Sequence, residues 1–169
     1  MTASAEPLWL SVARAFVGLT ETPGPGSNPA ILRMARDIGA PEWYDDDGKP
    51  WCAVFLNRVL LACQLPMAGT GFELLRAASF RSWGQPLPLG PALGAVLVFA
   101  RPEGHHVGFY TGERDGVYRV LGGNQGNAVS ETWIDMARLV AMRWPPGVEL
   151  PFVQRVAVEA AGAVSTDER

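Results

Sequence analysis

One cysteine, one histidine and one amide side chain, in that order, carry the chemistry this sequence could perform: Cys52, His106 and Asn124. A thiol attacks a carbonyl as its thiolate or with a base beside it, and imidazole is the side chain whose proton affinity suits that task near neutrality. The imidazole must itself be held in one tautomer and orientation by a third polar group. The chemistry in question is therefore nucleophilic catalysis by cysteine.

Cys52 lies at the second or third position of an apolar helical run, PWCAVFLNRVLLAC, directly after Pro50 and Trp51. Unpaired backbone N–H groups and the helix dipole at such a position favour a thiolate. Position alone is equally compatible with a cysteine packed in the core, the role expected of Cys63 deeper in the same helix. On one helix the two cysteines would lie about 16 Å apart, too far to pair. His106 opens a strand, HVGFY, where it shares a face with Gly108 and Tyr110, and the missing side chain of Gly108 leaves room beside an imidazole. His105 points to the opposite face. Asn124 belongs to the run Gly122-Gly123-Asn124-Gln125-Gly126-Asn127, which ends the next strand; antiparallel pairing through the turn at Gly112 to Gly116 returns it to His106. The same run also satisfies the needs of an ordinary turn.

The elements that must position these groups follow from periodicity. Leu8, Val12, Ala15, Phe16 and Leu19 recur at helical spacing between Pro7 and Leu19, and Asn28 can cap a helix running from Pro29 to Gly39. The nearly all-apolar helix from Pro50 is expected to be buried on most sides, and a shorter one spans Phe72 to Phe80. The second half changes character: Ala95 to Ala100, His106 to Thr111, Val117 to Leu121, Ala128 to Trp133 and Leu139 to Trp144 read as short strands between turn residues. Helices first and strands second indicate an α+β domain whose N-terminal helices pack on a central antiparallel β-sheet of about five strands. Residues 1–146 form that domain, and 147–169 an Ala/Val tail, docked as a helix or frayed.

Composition narrows the function classes. With 169 residues the chain has the size of one domain, and 48% apolar residues exclude disorder. Gly and Pro number 33, which argues against a plain helix bundle. The net charge of -3 and the scattering of 13 arginines and one lysine, Lys49, give no basic cluster for nucleic acid. The longest apolar stretch, Trp51 to Cys63, is too short for a transmembrane segment, and Met1 to Trp9 lacks the features of a secretory signal, so a soluble protein is expected. No zinc-type spacing occurs, and GGNQG lacks the GK[ST] of a phosphate loop. Asp45, Asp46 and Asp47 lack the spacing of a calcium loop and read as a solvated turn.

The segments GLTETPGPGSNPAI, DGKPWCAVFLNRVL, GAVLVFAR, HHVGFYTGE and LGGNQGNAV together resemble the NlpC/P60 and CHAP superfamily of papain-like cysteine peptidoglycan hydrolases, in its phage- and prophage-associated branch. The resemblance spans most of residues 8 to 145 and stops before the tail. It implies the papain-like NlpC/P60-CHAP fold, Cys52 as nucleophile, His106 as general base and Asn124 as the residue that orients it. The implied substrate is peptidoglycan, cut at an amide bond in the stem peptide or at the sugar–peptide junction through a thioester; no metal or organic cofactor is implied. The Cys52 backbone N–H and a second donor, Tyr44 or Gln125, would hold the oxyanion, and Trp43 and Trp51 would line a substrate groove. A phage lysin, a virion component and an antibacterial effector all fit. Each would be made in the cytoplasm without a signal peptide and act in the periplasm or cell wall after delivery, an effector with an immunity protein as partner. The alternatives are a cysteine protease or acyltransferase acting on protein, and a non-catalytic binding module.

Overall fold

A computed structural model describes residues 5–168; Met1 to Ser4 and Arg169, which belong to the N-terminal and tail readings above, lie outside it. Helix α1 (Leu8–Arg14) is followed by α2 (Pro29–Asp37) and α3 (Cys52–Ala62). Asn28 caps α2 as its sequence predicts, its side-chain oxygen accepting the Ala30 N–H at 2.9 Å, with Pro29 supplying the first helical φ. Helix α3 starts at Cys52, two residues later than Pro50, because Trp51 is not helical. From Cys52 to Leu60, Arg58 alone escapes full burial. Asn57 is tolerated there because both ends of its amide are bonded: the nitrogen donates to the Leu74 carbonyl at 3.0 Å and the oxygen accepts from the Ala68 N–H at 2.8 Å.

The single helix expected over Phe72 to Phe80 is instead two 3-10 turns, Gly71–Leu75 and Ala77–Arg81, separated by an extended Arg76. The strands are β1 (Gln85–Pro86), β2 (Val96–Arg101), β3 (Gly104–Arg114), β4 (Val117–Gly122), β5 (Ser130–Asp135) and β6 (Leu139–Trp144). They form one antiparallel sheet in the order β1-β6-β2-β3-β4-β5. The protein is thus α+β, with the five expected strands in place and the short β1 added at one edge. Register puts His106 opposite Phe99 on β2, and the β3–β4 hairpin returns the chain to the His106 end of the sheet. Helix α3 packs over β3, between the sheet and the other two helices.

Two segments depart from their sequence reading. Residues 147–168 contain no helix; they run extended, pairing at Ala157 with Glu113, at Val164 with Trp133 and at Glu168 with Gln125. The three aspartates are not a solvated turn, because Asp47 is buried and accepts the backbone N–H groups of Thr22 (2.9 Å) and Asn28 (2.7 Å). It ties the 20–28 loop to the entry of α3. Asp47→Ala is expected to cost about 2–4 kcal/mol in a denaturant titration, since two part-buried N–H groups lose a charged acceptor. Among the described residues no helix is long and apolar enough to cross a membrane.

Candidate active site

The start of α3, with Cys52 as its first residue, lies against β3, the strand that carries His106. The backbone of Val107, the residue after His106, and the first amides of α3 favour the ionised form of the Cys52 thiol. Both side chains are out of solvent. Burial pushes the Cys52 thiol up, against the opposing pull of the Val107 N–H, Arg101 and the helix amides. Burial likewise pushes the His106 imidazole down, to about 4, although Gln125 and the Glu168 carboxylate pull it upward. The pair rests as neutral thiol and neutral imidazole.

The hydrogen bond expected from Asn124 is made by its neighbour. His106 Nε2 lies 3.0 Å from the Gln125 side-chain oxygen, while the Gln125 nitrogen donates to the Ser130 and Val120 carbonyls at 2.6 and 3.2 Å. Those two acceptors fix the amide so that its oxygen must face the ring. An oxygen acceptor requires the proton on Nε2, which leaves Nδ1 with its lone pair, and Nδ1 is buried without any hydrogen-bond partner among the described residues. The tautomer therefore leaves Nδ1 as the nitrogen with a free lone pair. Gln125, read from sequence as a substrate contact or oxyanion donor, is the residue that holds the imidazole.

Asn124 does a different job. Its φ of 58° turns its side chain the other way, and in the orientation that satisfies its amide the nitrogen donates to Glu21 Oε1 (2.9 Å) and the oxygen accepts the Trp51 N–H (3.3 Å). Trp51 Nε1 donates to the same Glu21 oxygen at 2.8 Å. Asn124, Glu21 and Trp51 together pin the first turn of α3, and with it Cys52, to the loop after β4. Trp51 is fully buried, so the groove-lining role expected of it is excluded. Gly123 is required by that packing: a Cβ there would sit 2.7 Å from Phe55 and 2.8 Å from the Trp51 ring.

The space beside the imidazole comes from a glycine that the strand pattern did not single out. A Cβ on Gly122 would lie 3.3 Å from His106 Nε2 and 2.8 Å from the Gln125 oxygen, whereas Gly108 makes room for Val120 and the Leu121 backbone. His105 lies among Arg76, Arg81 and Arg101, whose charges, after partial burial, push it down. Tyr44 is buried near Cys52, its hydroxyl donating toward the Lys49 and Pro50 carbonyls at 3.1 and 3.3 Å. Burial first, and then the Cys52 charge, push that phenol up. Trp43 is 53% exposed and stacks obliquely on exposed Phe72, a partner that sequence reasoning missed because it comes from a separate segment. Trp43 and Phe72 thus provide an aromatic surface, while Tyr44 and Trp51 belong to the interior.

Burying a neutral histidine links folding to pH. The unfolded chain takes up a proton near the ordinary value of about 6.5 and the folded chain only near 4, so the unfolded state binds more protons in between. Stability is fully present above about pH 6.5 and falls by about 3 kcal/mol as pH drops toward 4. His106→Gln is expected to flatten the melting temperature between pH 6.5 and 4.5 relative to the parent chain.

In comparison with known proteins, no family model and no curated sequence matches the chain.

Proposed function

We propose that this protein is a papain-like cysteine hydrolase of the NlpC/P60 and CHAP type that cuts an amide bond of peptidoglycan. The observation that carries the reading is the His106–Gln125 hydrogen bond, with the opposite nitrogen left unpartnered on the strand that packs against α3, the helix that Cys52 begins. In a structural histidine both ring nitrogens would be expected to be satisfied.

The reaction follows from these groups. As the amide carbonyl approaches, His106 Nδ1 takes the Cys52 proton and the sulfur attacks, giving a tetrahedral intermediate. The Cys52 N–H at the start of α3 is the donor for the developing oxyanion; the Tyr44 hydroxyl, whose proton is directed to the Lys49 and Pro50 carbonyls, is not the second one. The imidazolium, stabilised by Gln125, protonates the leaving amine, and a thioester remains on Cys52. His106 then deprotonates the water that attacks the thioester and restores the thiol. Every step uses groups of this chain.

Peptidoglycan as substrate rests on the segment resemblance and on the exposed Trp43–Phe72 surface beside the entry of α3. The same resemblance makes the protein a lysin-like enzyme or an antibacterial effector that reaches the wall by a delivery apparatus. Turbidity of purified sacculi, followed in parallel with cleavage of unfolded protein substrates, tests the reading. Clearing of sacculi that Cys52→Ala lacks, with protein left intact, supports it; cleavage of protein with sacculi untouched would replace it by the protease alternative.

A further inference from the structure

Glu168 is the anomaly of the extended segment. Its side chain is 2% exposed, and its two oxygens accept from both terminal nitrogens of Arg138 at 3.1 and 2.8 Å. The residues leading to it lie at the surface. Val164 is half exposed, and the run is held by edge pairing: the Ser165 N–H donates to the Trp133 carbonyl at 2.7 Å and the Gly126 N–H to the Asp167 carbonyl at 2.9 Å. A segment held on a sheet edge is among the easiest parts of a fold to open. Yet its end delivers a carboxylate, against the penalty of its desolvation, to one end of the catalytic pair.

The surroundings explain why a carboxylate is received there. Glu168 pairs through its backbone with Gln125, the residue whose side chain holds His106. Arg138, Arg101 and Glu168 line one recess of about 470 Å³, and Arg101 acts electrostatically on both Cys52 and His106. Arg138 is itself aimed by a bond from its Nε to the Ala100 carbonyl at 3.0 Å, at the end of β2. A planar guanidinium with its fork pointing into a recess one residue removed from the amide that holds His106 matches a carboxylate in shape and charge. Meanwhile Cys52 and His106 are sealed, so a polymer can reach them only if something moves.

Building on the catalytic reading above, we infer that Arg138 and Arg101 form a carboxylate-binding subsite of the active site, and that Glu168 fills it in place of a peptide substrate's carboxylate. The occupied subsite is the closed enzyme. A substrate carrying a free carboxylate near the scissile amide would displace Glu168 from Arg138, strip segment 164–168 from the edge of β5 and uncover the thiol. Specificity and access are then set by one contact.

Alkylation of Cys52 by iodoacetate and by iodoacetamide, followed by peptide mass mapping in the full chain, tests this without any peptidoglycan substrate. The two reagents differ mainly in charge, and partly exposed Cys63 serves as the internal reference. Glu168→Ala should raise the labelling of Cys52 by both reagents and raise the iodoacetate-to-iodoacetamide ratio by about five- to tenfold, as expected for an uncovered cation near the thiol. Adding Arg138→Ala should return that ratio to the parent value. Glu168→Gln, which keeps the size and one of the two acceptors for Arg138 but removes the charge, provides the milder variant should alanine impair folding, and a smaller shift of the ratio in the same direction is expected. Unchanged Cys52 labelling in a variant of unchanged melting temperature would overturn the inference, as would a ratio indifferent to Arg138. If the ratio behaves as expected while no variant digests sacculi, the subsite stands and the assignment of peptidoglycan falls.

Discussion

Replacing Cys52 with alanine is expected to lower amide hydrolysis by at least about 10⁴-fold, because no other group of the site can form the covalent intermediate. The fold should survive. Cys52 enters α3 at its first residue, and the anchors of that turn, Asn124 and Glu21 through Trp51, do not involve the thiol. Cys63→Ala is the matched control: it sits at the opposite end of the helix and should leave kcat unchanged. Progress curves on a common substrate, with circular dichroism of each variant, separate loss of chemistry from loss of structure.

The second large effect concerns Gln125. Gln125→Ala removes the acceptor at His106 Nε2 and, with it, the bias toward the tautomer that keeps Nδ1 free; kcat is expected to fall by about 10²–10³-fold with a much smaller change in KM. Gln125→Glu should recover little of that loss at neutral pH, since its second oxygen would face the Ser130 and Val120 carbonyls that now accept from the amide, although the remaining oxygen can still take the Nε2–H. Asn124→Ala should behave differently, lowering the melting temperature through the Trp51 N–H it leaves unpaired while retaining more of kcat. Measuring kcat, KM and the pH profile for the three variants distinguishes an orienting residue from one that only supports the helix start. An Asn124→Ala protein that is stable but as inactive as Gln125→Ala would restore the role expected from sequence.

The exchange of roles between Asn124 and Gln125 shows where sequence patterning stops being readable. Strand alternation located His106 and the return of β4, because each residue there is held in a ladder of period two. Beyond Gly122 the ladder ends, and the left-handed backbone of Asn124 turns its side chain away from the imidazole. Which of two adjacent amides faces the ring then depends on a local φ that no periodicity reports. Asn28 and Pro29 were legible as a helix start because cap and first turn are decided by neighbouring residues. Asp47 was not, since its partners Thr22 and Asn28 come from a loop some twenty residues earlier in the chain. Likewise the Ala/Val composition of the tail allowed a helix, whereas the edges it pairs with, at Glu113 and Trp133, exist only once the sheet has formed.

Those edges also bear on how the proposed release of Glu168 would proceed. Arg114 sits over the Trp133 ring at 4.2 Å and donates to the Ala160 carbonyl at 2.8 Å and to that of Gly162, fastening the path of the segment well before it reaches the site. A Cβ at Gly162 would lie 2.9 Å from the same ring, so the close approach there needs glycine. Opening at Glu168 can therefore proceed without releasing the segment from the body of the protein.

Peptidoglycan cleavage by Cys52 is read out by mass spectrometry of the soluble fragments released from purified sacculi by the parent chain, by Glu168→Ala and by Cys52→Ala. Fragments with newly exposed amide-derived termini are expected: free stem peptides for cleavage at the sugar junction, shortened or uncrosslinked stems for cleavage within the peptide. Release should be faster with Glu168→Ala and absent with Cys52→Ala. Release of the same fragments by Cys52→Ala, or no release by either of the other two proteins across several wall chemistries, would contradict peptidoglycan cleavage by Cys52.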